Sequence, residues 1–265
     1  MAAGSPTPEV RLQHLGAARA VVQAARGRPG ALCVLTGAGM SAESGIASFR
    51  DALTGLWARF DPAELASEAG FRAQPQRVWD WYAERREGVR RAEPNAGHHA
   101  LASFARRWPD TLVLVTQNVD DLHQRAGNAD AVRLHGDILA DRWLQTCPQR
   151  RACSTGSARA GRPPHCAECG NLLRPGVVWF GEELPAAALE TARAAAETCS
   201  VMLVVGTSGV VWPAAGFVGQ ARQQGARVLI VNPAPSEIDD QAHFVLRGTA
   251  AQVLPALLDE PRSGV

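Results

Sequence analysis

The sequence predicts an α/β fold in which helices cover both faces of a parallel sheet. Short apolar runs of strand length, rich in β-branched residues, recur along the chain at 31–35, 111–115, 201–205 and 228–231. Longer amphipathic stretches separate these runs, and most of the runs lead directly into glycine or polar residues. Strands that alternate with helices in this way are typical of a Rossmann-like, doubly wound parallel sheet. The length of 265 residues also leaves room for a smaller second domain.

The predicted elements account for most of the chain. Residues 1–8 are expected to be disordered, and residues 10–25 to form an amphipathic helix that ends at the glycine and proline residues of 27–30. Residues 52–95 carry aromatic side chains among many charges, which favours short helices that form a wall or lid. The remaining predictions are helices at 95–107, 185–198, 213–224 and 250–258 and a last strand near 243–246.

The composition excludes several classes of protein. A formal net charge of +1 gives no general attraction to nucleic acid or to a membrane surface. No apolar run is long enough to span a membrane, and residues 1–8 lack the features of a signal peptide. We therefore expect a cytoplasmic protein whose six cysteines are reduced or bind metal. Two of them, Cys33 and Cys199, adjoin apolar strands and are expected in the core.

The first predicted strand leads into a glycine turn. Gly37 and Gly39 follow it, and small residues compatible with a helix come next. Glycines let the backbone approach a pyrophosphate, and a helix N-terminus offers free N–H groups to the anion. The third glycine of the dinucleotide fingerprint is missing, so a purely structural turn is the alternative. Phe49 and Arg50 lie just beyond the loop, where they could cover a bound nucleotide. We predict an NAD site.

Four clusters of glycine or polar residues follow predicted strands, at 36–41, 116–120, 206–208 and 232–233. The carboxyl ends of parallel strands meet at one edge of the sheet, where ligands bind in this architecture. The convergence of the four clusters supports a nucleotide site at that edge.

Six motifs in this order resemble those of the sirtuins, a family of NAD-dependent protein lysine deacylases. They are GAGMSAESGI at 37–46 with Phe49 and Arg50, TQNVD at 116–120 with Leu122 and His123, LHG at 134–136, VWFGE at 178–182, GTS at 206–208 and VNP at 231–233. The resemblance extends over about residues 10–258. With it we divide the chain into an NAD-binding Rossmann-like domain at 9–52, 96–140 and 175–260, a helical lid and substrate insertion at 53–95, and a zinc-binding insertion at 141–174.

The resemblance implies a mechanism. The amide oxygen of an acyl-lysine attacks the ribose C1′ of NAD as nicotinamide leaves, which gives an alkylimidate. His135 then acts as general base on the ribose hydroxyls, a role that suits an imidazole. Asn118 and Asp120 hold the ribose and nicotinamide ends. The alternative for His135 is a hydrogen-bonded buried histidine without a catalytic role. The alternative for Asn118 and Asp120 is that they are ordinary turn residues.

The NAD contacts implied by the resemblance come from the strand ends and the lid. They are Gly37, Ala38, Gly39, Ser41, Ala42, Glu43, Gly45, Ile46, Phe49, Arg50, Trp57, Gln117, Asn118, Val119, Asp120, Gly206, Thr207, Ser208, Asn232, Pro233 and Ala250. Ser41, Thr207 and Ser208 would bind phosphate and ribose oxygens. Asn232 would bind the adenosine. Each of these polar residues could instead be a cap or turn residue.

The implied peptide site is the segment Val178, Trp179, Phe180, Gly181 and Glu182. It would pair with the substrate backbone as an added strand, with Phe180 beside the lysine stem. A plain apolar strand edge is the alternative.

The implied acyl pocket consists of Ala66, Tyr82 and Arg85, which look like the class III sirtuin pattern. A small residue leaves room there, and a tyrosine–arginine pair binds an acidic acyl group. Tyr82 and Arg85 are one helical turn apart and so share a face. We predict a preference for succinyl- and malonyl-lysine over acetyl-lysine. The alternative is a plain deacetylase with Arg85 on a solvated helix face.

The predicted zinc site departs from the family pattern of two Cys-x-x-Cys pairs. Only Cys166 and Cys169 are regular, and the first pair would be the more widely spaced Cys147 and Cys153. Four thiolates would hold together a segment that is too poor in apolar residues to form its own core. A degraded or three-thiolate site, with His165 as a fourth ligand, is the alternative.

Other readings fit the same fold, because fold alone does not choose the chemistry. They are a hydride-transferring dehydrogenase and a protein ADP-ribosyltransferase. A nucleic-acid contact through Arg142, Arg150, Arg151, Arg159 and Arg162 is a further alternative, although arginines in a loop are more often solvated. We expect a monomer that acts on acylated protein lysines, with no membrane or nucleic-acid partner.

Overall fold

The structure, a computed structural model, describes residues 8–48, 61–146, 156 and 158–259. The helices are α1 (Pro8–Ala25), α2 (Pro62–Leu65), α3 (Glu68–Ala73), α4 (Pro75–Arg91), α5 (Ala96–Arg107), α6 (Leu122–Ala126), α7 (Ala186–Thr198), α8 (Ala214–Gln223) and α9 (Ala250–Leu258). The strands are β1 (Leu32–Thr36), β2 (Leu112–Thr116), β3 (Val132–Arg133), β4 (Gly136–Trp143), β5 (Leu173–Val177), β6 (Val201–Val205), β7 (Arg227–Val231) and β8 (Phe244–Leu246).

Six strands form one parallel sheet in the order β3-β2-β1-β6-β7-β8. The central strand β1 pairs with β2 on one side and with β6 on the other, so that Leu32 lies opposite both Leu112 and Val201. The strand order therefore reverses beside β1, which opens a crevice between the loops that follow β1 and β6. The predicted α/β fold with a doubly wound parallel sheet is confirmed.

Helices cover both faces of this sheet because the side chains of β1 alternate between them. Leu32 and Val34 pack in one core cluster with residues of α1, α5 and α9. Cys33 and Leu35 pack in a second cluster with residues of α7 and α8. Cys199 belongs to the second cluster, so both cysteines expected in the core are there.

A smaller unit lies beside the sheet. β4 and β5 pair antiparallel as a separate two-stranded sheet, with a register shift between Asp137 and Asp141. Ile138 of β4 and Val177 of β5 pack with residues of α2, α3 and α4 in a third core cluster. Parts of the chain that the domain division assigned to the NAD-binding domain thus share a core with the predicted helical insertion.

Two features of this unit differ from the sequence expectation. Residues 75–91 form a single helix of 17 residues rather than several short ones, with a proline in its first turn. β4 carries two aspartates and an arginine, and Ile138 is its one fully buried side chain. Its apolar alternation is therefore too weak to predict a strand.

Within the described residues, no helix is both long and apolar enough to cross a membrane.

Candidate active site

The loops that follow β1 and β6 touch through their backbones at the crevice. The N–H of Gly37 donates to the carbonyl oxygen of Val205 at 2.9 Å, and the N–H of Gly39 donates to that of Gly206 at 2.8 Å. A Cβ atom on Gly39 would lie 2.7 Å from the Cα of Gly206. The glycines are therefore required for contact between the two loops. Their approach to a pyrophosphate stays a prediction.

Ser41 joins two residues of the loop after β2. Its hydroxyl donates to Oδ2 of Asp120 at 2.9 Å and accepts from the side-chain amide of Asn118 at 3.2 Å. The other carboxylate oxygen of Asp120 accepts from the N–H of Leu122 at 3.1 Å. Ser41 is fully buried, so the structure shows it orienting Asn118 and Asp120. Its contact with NAD oxygens stays a prediction.

Burial raises the pKa of the Asp120 carboxyl above its usual value, and the hydrogen bonds from Leu122 and Ser41 oppose this effect. The positive charge of Arg133 acts in the same direction as these hydrogen bonds. The site thus holds a carboxylate that is poorly solvated and that gains from a polar or cationic ligand.

His135 has a defined tautomer. Its Nδ1 lies 2.9 Å from the carbonyl oxygen of Gln117, which can only accept a hydrogen bond. Nδ1 therefore carries the proton and Nε2 carries the lone pair. Burial lowers the pKa of His135, while the bond to Gln117 raises it. A neutral imidazole with Nε2 available is the form that a general base requires.

A chain of buried hydrogen bonds holds the loop after β2, which carries Asn118 and Asp120. The hydroxyl of Thr36 donates to that of Thr116 at 2.8 Å, and Thr116 accepts from the N–H of Asn118 at 3.0 Å. Thr36 also lies 3.0 Å from Nε2 of His123, whose ring centroid is 4.9 Å from that of His98. Sequence reasoning assigned no role to His98. The one local signal is its position three residues after Asn95, in a capping box.

The predicted adenosine end is built from β6 and β7. Oγ1 of Thr207 accepts from the side-chain amide of Gln117 at 3.2 Å, and the amide of Asn232 donates to the backbone carbonyl of Thr207 at 3.0 Å. Ser208 and Pro233 are exposed beside them. These contacts link three strand ends into one polar surface.

Two predicted NAD contacts, Glu43 and Ala250, lie at the start of α9. The carboxylate of Glu43 accepts from the N–H of Ala251 at 3.0 Å, in the first turn of α9. Ala250 is buried in the core beside it. A carboxylate at a helix N-terminus is stabilised by the free N–H groups there, which accounts for Glu43 without a ligand.

The predicted acyl residues lie together. Ala66 and Tyr82 are buried, and the guanidinium of half-buried Arg85 lies 4.7 Å from the ring centroid of Trp81 and 6.0 Å from that of Tyr82. The hydroxyl of Tyr82 accepts from Nε1 of Trp179 at 3.1 Å. Burial raises the pKa of Tyr82 to about 12, so the phenol keeps its proton at neutral pH.

The helix that carries Tyr82 and Arg85 is anchored to β4 by the next residue. Nε of Arg86 donates to the carbonyl oxygen of Ile138 at 2.6 Å, and its Nη2 contacts the carboxylate of Asp141 at 2.5 Å. This ion pair is largely buried and fixes the distance between α4 and β4.

Backbone hydrogen bonds and one carboxylate hold the predicted peptide segment in place. The N–H groups of Val178 and Phe180 donate to the carbonyl oxygens of His135 and Ala66, both at 2.9 Å. The carboxylate of Glu182 accepts from the N–H of Trp179 at 2.8 Å and pairs with Arg142 at 2.6 Å and with buried Arg174. Glu182 thus shapes the segment.

Many of these groups line one cleft of about 890 Å3. The predicted residues that line it are Ala38, Ser41, Gly45, Ile46, Ala66, Tyr82, Arg85, Gln117, Asn118, Val119, Asp120, His135, Val178, Trp179, Phe180, Gly181 and Glu182. Predicted residues Phe49, Arg50 and Trp57 lie outside the described residues. The predicted residues in the described part that are not in its lining are Gly37, Gly39, Ala42, Glu43, Gly206, Thr207, Ser208, Asn232, Pro233 and Ala250.

The rim of the cleft includes residues that sequence reasoning missed. Val210, Val211 and Trp212 follow the β6 loop and are exposed, and exposed Phe180 also lines the cleft. Trp212 exposes 74% of its surface. An apolar run directly after the predicted NAD-binding loop at 206–208 was the available signal, since such side chains are normally buried.

The similarity of the chain to known proteins agrees with this geometry. A model of the Sir2 family matches residues 37–213. The chain belongs to the Sir2 family. The resemblance to the sirtuins is therefore confirmed. A relative from Ralstonia nicotianae named NAD-dependent protein deacylase is 55% identical over 241 residues, which are 91% of this chain and 94% of the relative.

Solved structures of Sir2 homologues share the fold. A Sir2 homolog–NAD complex is 40% identical, with a TM-score of 0.76 over 97% of this chain and 95% of that chain. Sir2Tm bound to a propionylated peptide is 26% identical, with a TM-score of 0.73 over 94% of this chain and 96% of that chain.

The predicted zinc ligands of this Sir2 family member lie only partly within the described residues. Cys147 and Cys153 lie outside the described residues, and the described ones contain no group of three or more His, Cys, Asp or Glu side chains suited to a metal. Cys166 and Cys169 lie in a tight turn in which the N–H of Gly170 donates to the carbonyl oxygen of Cys166 at 3.0 Å. This turn fits one half of a four-thiolate site.

The arginine-rich segment of this chain is partly engaged in ion pairs. Arg142 pairs with Glu182, and Arg162 pairs with Asp80 of α4 at 2.7 Å. Arg150 and Arg151 lie outside the described residues. Because Arg162 is bound to a carboxylate of α4, its placement is accounted for without a nucleic acid.

Proposed function

We propose that this chain is an NAD-dependent protein lysine deacylase that prefers succinyl- and malonyl-lysine to acetyl-lysine. Membership of the Sir2 family supports NAD as the cosubstrate, as do the names of the relative and of the NAD complex. The acyl preference rests on one observation, which is that Tyr82 and Arg85 line the same cleft as His135.

At the NAD end, Asn118 and Asp120 hold the ribose and nicotinamide ends, with Ser41 keeping both side chains oriented. The acyl amide oxygen attacks C1′, the bond to nicotinamide breaks, and nicotinamide leaves with the bonding electrons. Nε2 of His135 takes the proton from a ribose hydroxyl, because Nδ1 is committed to Gln117. The freed ribose oxygen attacks the alkylimidate carbon, a water molecule adds to that carbon, and the C–N bond to lysine breaks as the amine takes up a proton. The products are nicotinamide, an O-acyl-ADP-ribose and the free lysine side chain.

At the acyl end, the recognising groups are a cation and a protonated phenol. Arg85 supplies a positive charge that stays on the guanidinium at any physiological pH. Tyr82 supplies an O–H donor, and buried Ala66 leaves space beside them. A succinyl or malonyl carboxylate accepts from both donors, and charge-assisted hydrogen bonds of this kind contribute about 1.5–3 kcal/mol each. An acetyl group offers no such acceptor.

We also propose one structural zinc ion per chain, held by Cys147, Cys153, Cys166 and Cys169. The support for it is the turn at Cys166 and Cys169 and the low apolar content of the segment around it. Cytoplasmic location and a monomeric state stay predictions.

The experiment compares succinyl-lysine and acetyl-lysine versions of one peptide with NAD and follows the products by mass spectrometry. We expect succinyl to be preferred, with nicotinamide released in step. Arg85→Met should lower kcat/KM for the succinyl peptide by about 10-fold or more, while the acetyl peptide loses much less. Arg90→Met is the matched control, because Arg90 is on the same helix but is exposed and paired with Glu87.

Three outcomes would contradict the proposal. Equal efficiency of the unsubstituted enzyme on both peptides removes the acyl preference and leaves a plain deacetylase. Absorbance from reduced cofactor would indicate a dehydrogenase. Retention of label from NAD on a protein target would indicate ADP-ribosyl transfer.

A further inference from the structure

Trp179 touches the acyl pocket through the edge of its indole. Its Nε1 donates to the hydroxyl of Tyr82 at 3.1 Å, and both side chains are buried. The two residues are 97 positions apart in the chain. This contact connects the peptide-binding segment to the helix that carries Tyr82 and Arg85.

The indole of Trp179 is itself held on several sides. The guanidinium of Arg174 lies 3.8 Å from its ring centroid, and the ring of Phe71 lies 5.3 Å away. Its backbone N–H donates to the carboxylate of Glu182 at 2.8 Å. Arg174 pairs with the same carboxylate. The position of the indole N–H is therefore set by packing and by ion pairing, independently of any ligand.

The chemistry of the two groups fixes the direction of the phenol proton. An indole N–H can only donate, so the hydroxyl of Tyr82 must accept at that position. Its own hydrogen then points elsewhere. Among the residues that the structure describes, the Tyr82 hydroxyl accepts this hydrogen bond and donates none. Tyr82 lines the cleft, and its pKa of about 12 keeps the hydrogen in place at neutral pH.

We propose that Trp179 is a specificity-determining positioning residue, whose indole N–H orients the Tyr82 hydroxyl so that its hydrogen is presented to the carboxylate of an acidic acyl group. This inference rests on the proposed acyl preference and adds a third residue to the Tyr82 and Arg85 pair. Without the indole donor, the Tyr82 hydroxyl could rotate, and part of its time would be spent pointing away from the ligand. The loss belongs to binding of the acid, because the indole N–H of Trp179 contacts the Tyr82 hydroxyl and its effect on the ligand passes through that hydroxyl.

The test replaces Trp179 by phenylalanine, which keeps an aromatic ring for Arg174 and Phe71 and removes the N–H. We expect the ratio of kcat/KM for succinyl peptide over acetyl peptide to fall about 3- to 10-fold, the range of one hydrogen bond. The change should be in KM for the succinyl peptide. Trp108→Phe is the control, since Trp108 lies against the opposite core and its indole nitrogen has no partner among the described residues.

A double-mutant cycle identifies the path of the effect. If Trp179 acts through the Tyr82 hydroxyl, Trp179→Phe in a Tyr82→Phe background should change the ratio less than 2-fold. An equal loss on both peptides, or a full effect in the Tyr82→Phe background, would overturn the proposal. So would an unchanged ratio in Trp179→Phe, provided that the unsubstituted enzyme prefers succinyl. If the unsubstituted enzyme shows no preference, the proposed function fails first and this inference fails with it.

A second measurement covers the case in which Trp179→Phe does not fold. In protein labelled with 15N-tryptophan, Tyr82→Phe should shift one indole N–H resonance, because only Trp179 donates to Tyr82 among the described residues. The same resonance should shift further when the succinyl peptide binds than when the acetyl peptide binds, because Trp179 lines the cleft that both peptides enter but only the succinyl group has a carboxylate for Tyr82. Equal shifts with both peptides would count against the assignment.

Discussion

Gly39 and Gly206 join the two halves of the sheet without a side chain between them. The N–H of Gly39 donates to the carbonyl oxygen of Gly206 at 2.8 Å, and a Cβ on Gly206 would lie 2.5 Å from the carbonyl carbon of Gly39. The crevice where β1 and β6 end is therefore defined by direct backbone contact, and its width has no room for a methyl group.

Gly206→Ala should separate the two loops. Gly206 has a φ of +62°, so alanine adds backbone strain as well as the overlap. We expect a loss of more than about 4 kcal/mol in the free energy of unfolding, measured by urea denaturation, and loss of NAD binding measured by calorimetry. Gly225→Ala is the control, because Gly225 has a φ of +89° but nothing within 4 Å of its Cβ position. A similar loss of unfolding free energy in both variants would contradict the prediction, because it would show that backbone strain accounts for the whole effect at Gly206.

Glu182→Gln should destabilise the protein through Arg174. The guanidinium of Arg174 is buried and pairs with this carboxylate, and a buried charge that loses its counter-charge is costly. We expect a loss of about 3–5 kcal/mol in the free energy of unfolding, measured by urea denaturation, and a higher KM for either acyl peptide. Glu190→Gln removes one partner of an exposed pair with Arg193 and should leave both quantities unchanged. Equal effects of the two substitutions would contradict this account.

The buried histidine pair should make stability depend on pH. Burial lowers the pKa of His98 to about 4 and that of His123 to about 3, from an ordinary value of 6.5. Below pH 6.5 the unfolded chain therefore takes up protons that the folded chain refuses, so stability falls as pH falls from about 6.5 towards 4. Each histidine adds a slope of up to about 1.4 kcal/mol per pH unit.

Urea denaturation between pH 7 and pH 4.5 measures this slope. His123→Gln should reduce it by about 1.4 kcal/mol per pH unit. His14→Gln is the control, because His14 is exposed on α1. The idea is wrong if His123→Gln leaves the slope unchanged.

Zinc removal should loosen the smaller unit. We expect about one zinc per chain in protein purified without chelator, and Cys166→Ser or Cys169→Ser should remove it and lower Tm. Because Arg162 of the same segment binds Asp80 of α4, KM for acylated peptide should rise as well. Cys199→Ala is the control and should keep the metal, since Cys199 lies in the core of the sheet. A zinc content well below one per chain in the unsubstituted protein would contradict the four-thiolate site.

The sequence predicts the main sheet well, because its strands are buried on both faces. The runs at 201–205 and 228–231 are continuous apolar segments, and β6 and β7 lie within one residue of them. The last helix begins where Thr249 and Gln252 form a capping box, a signal that local sequence carries. Elements whose stability comes from distant partners are harder to predict. β4 has a weak apolar pattern of its own and is held by Arg86 and by the core it shares with α4.

For the site, the motifs indicate which residues meet but not what each one contacts. Ser41 and Asp120 are 79 residues apart, and their hydrogen bond follows from the pairing of β1 with β2. Glu43 matches the family motif and yet contacts the start of α9. A residue pattern gives the chemical groups available, whereas the partner that each group takes depends on which strand ends come together.

The pairing of β1 also has a consequence during protein synthesis. The two residues that pair with Leu32 are synthesised much later: Leu112 follows it by 80 residues and Val201 by 169 residues. Ribosomes must therefore complete the chain through Val205 before the central strand is covered on both edges. Until then an apolar strand with open edges is exposed, the condition under which nascent chains aggregate or recruit chaperones. Truncated products that end before β6 should be insoluble, even though they contain the glycine loop, Asp120 and His135.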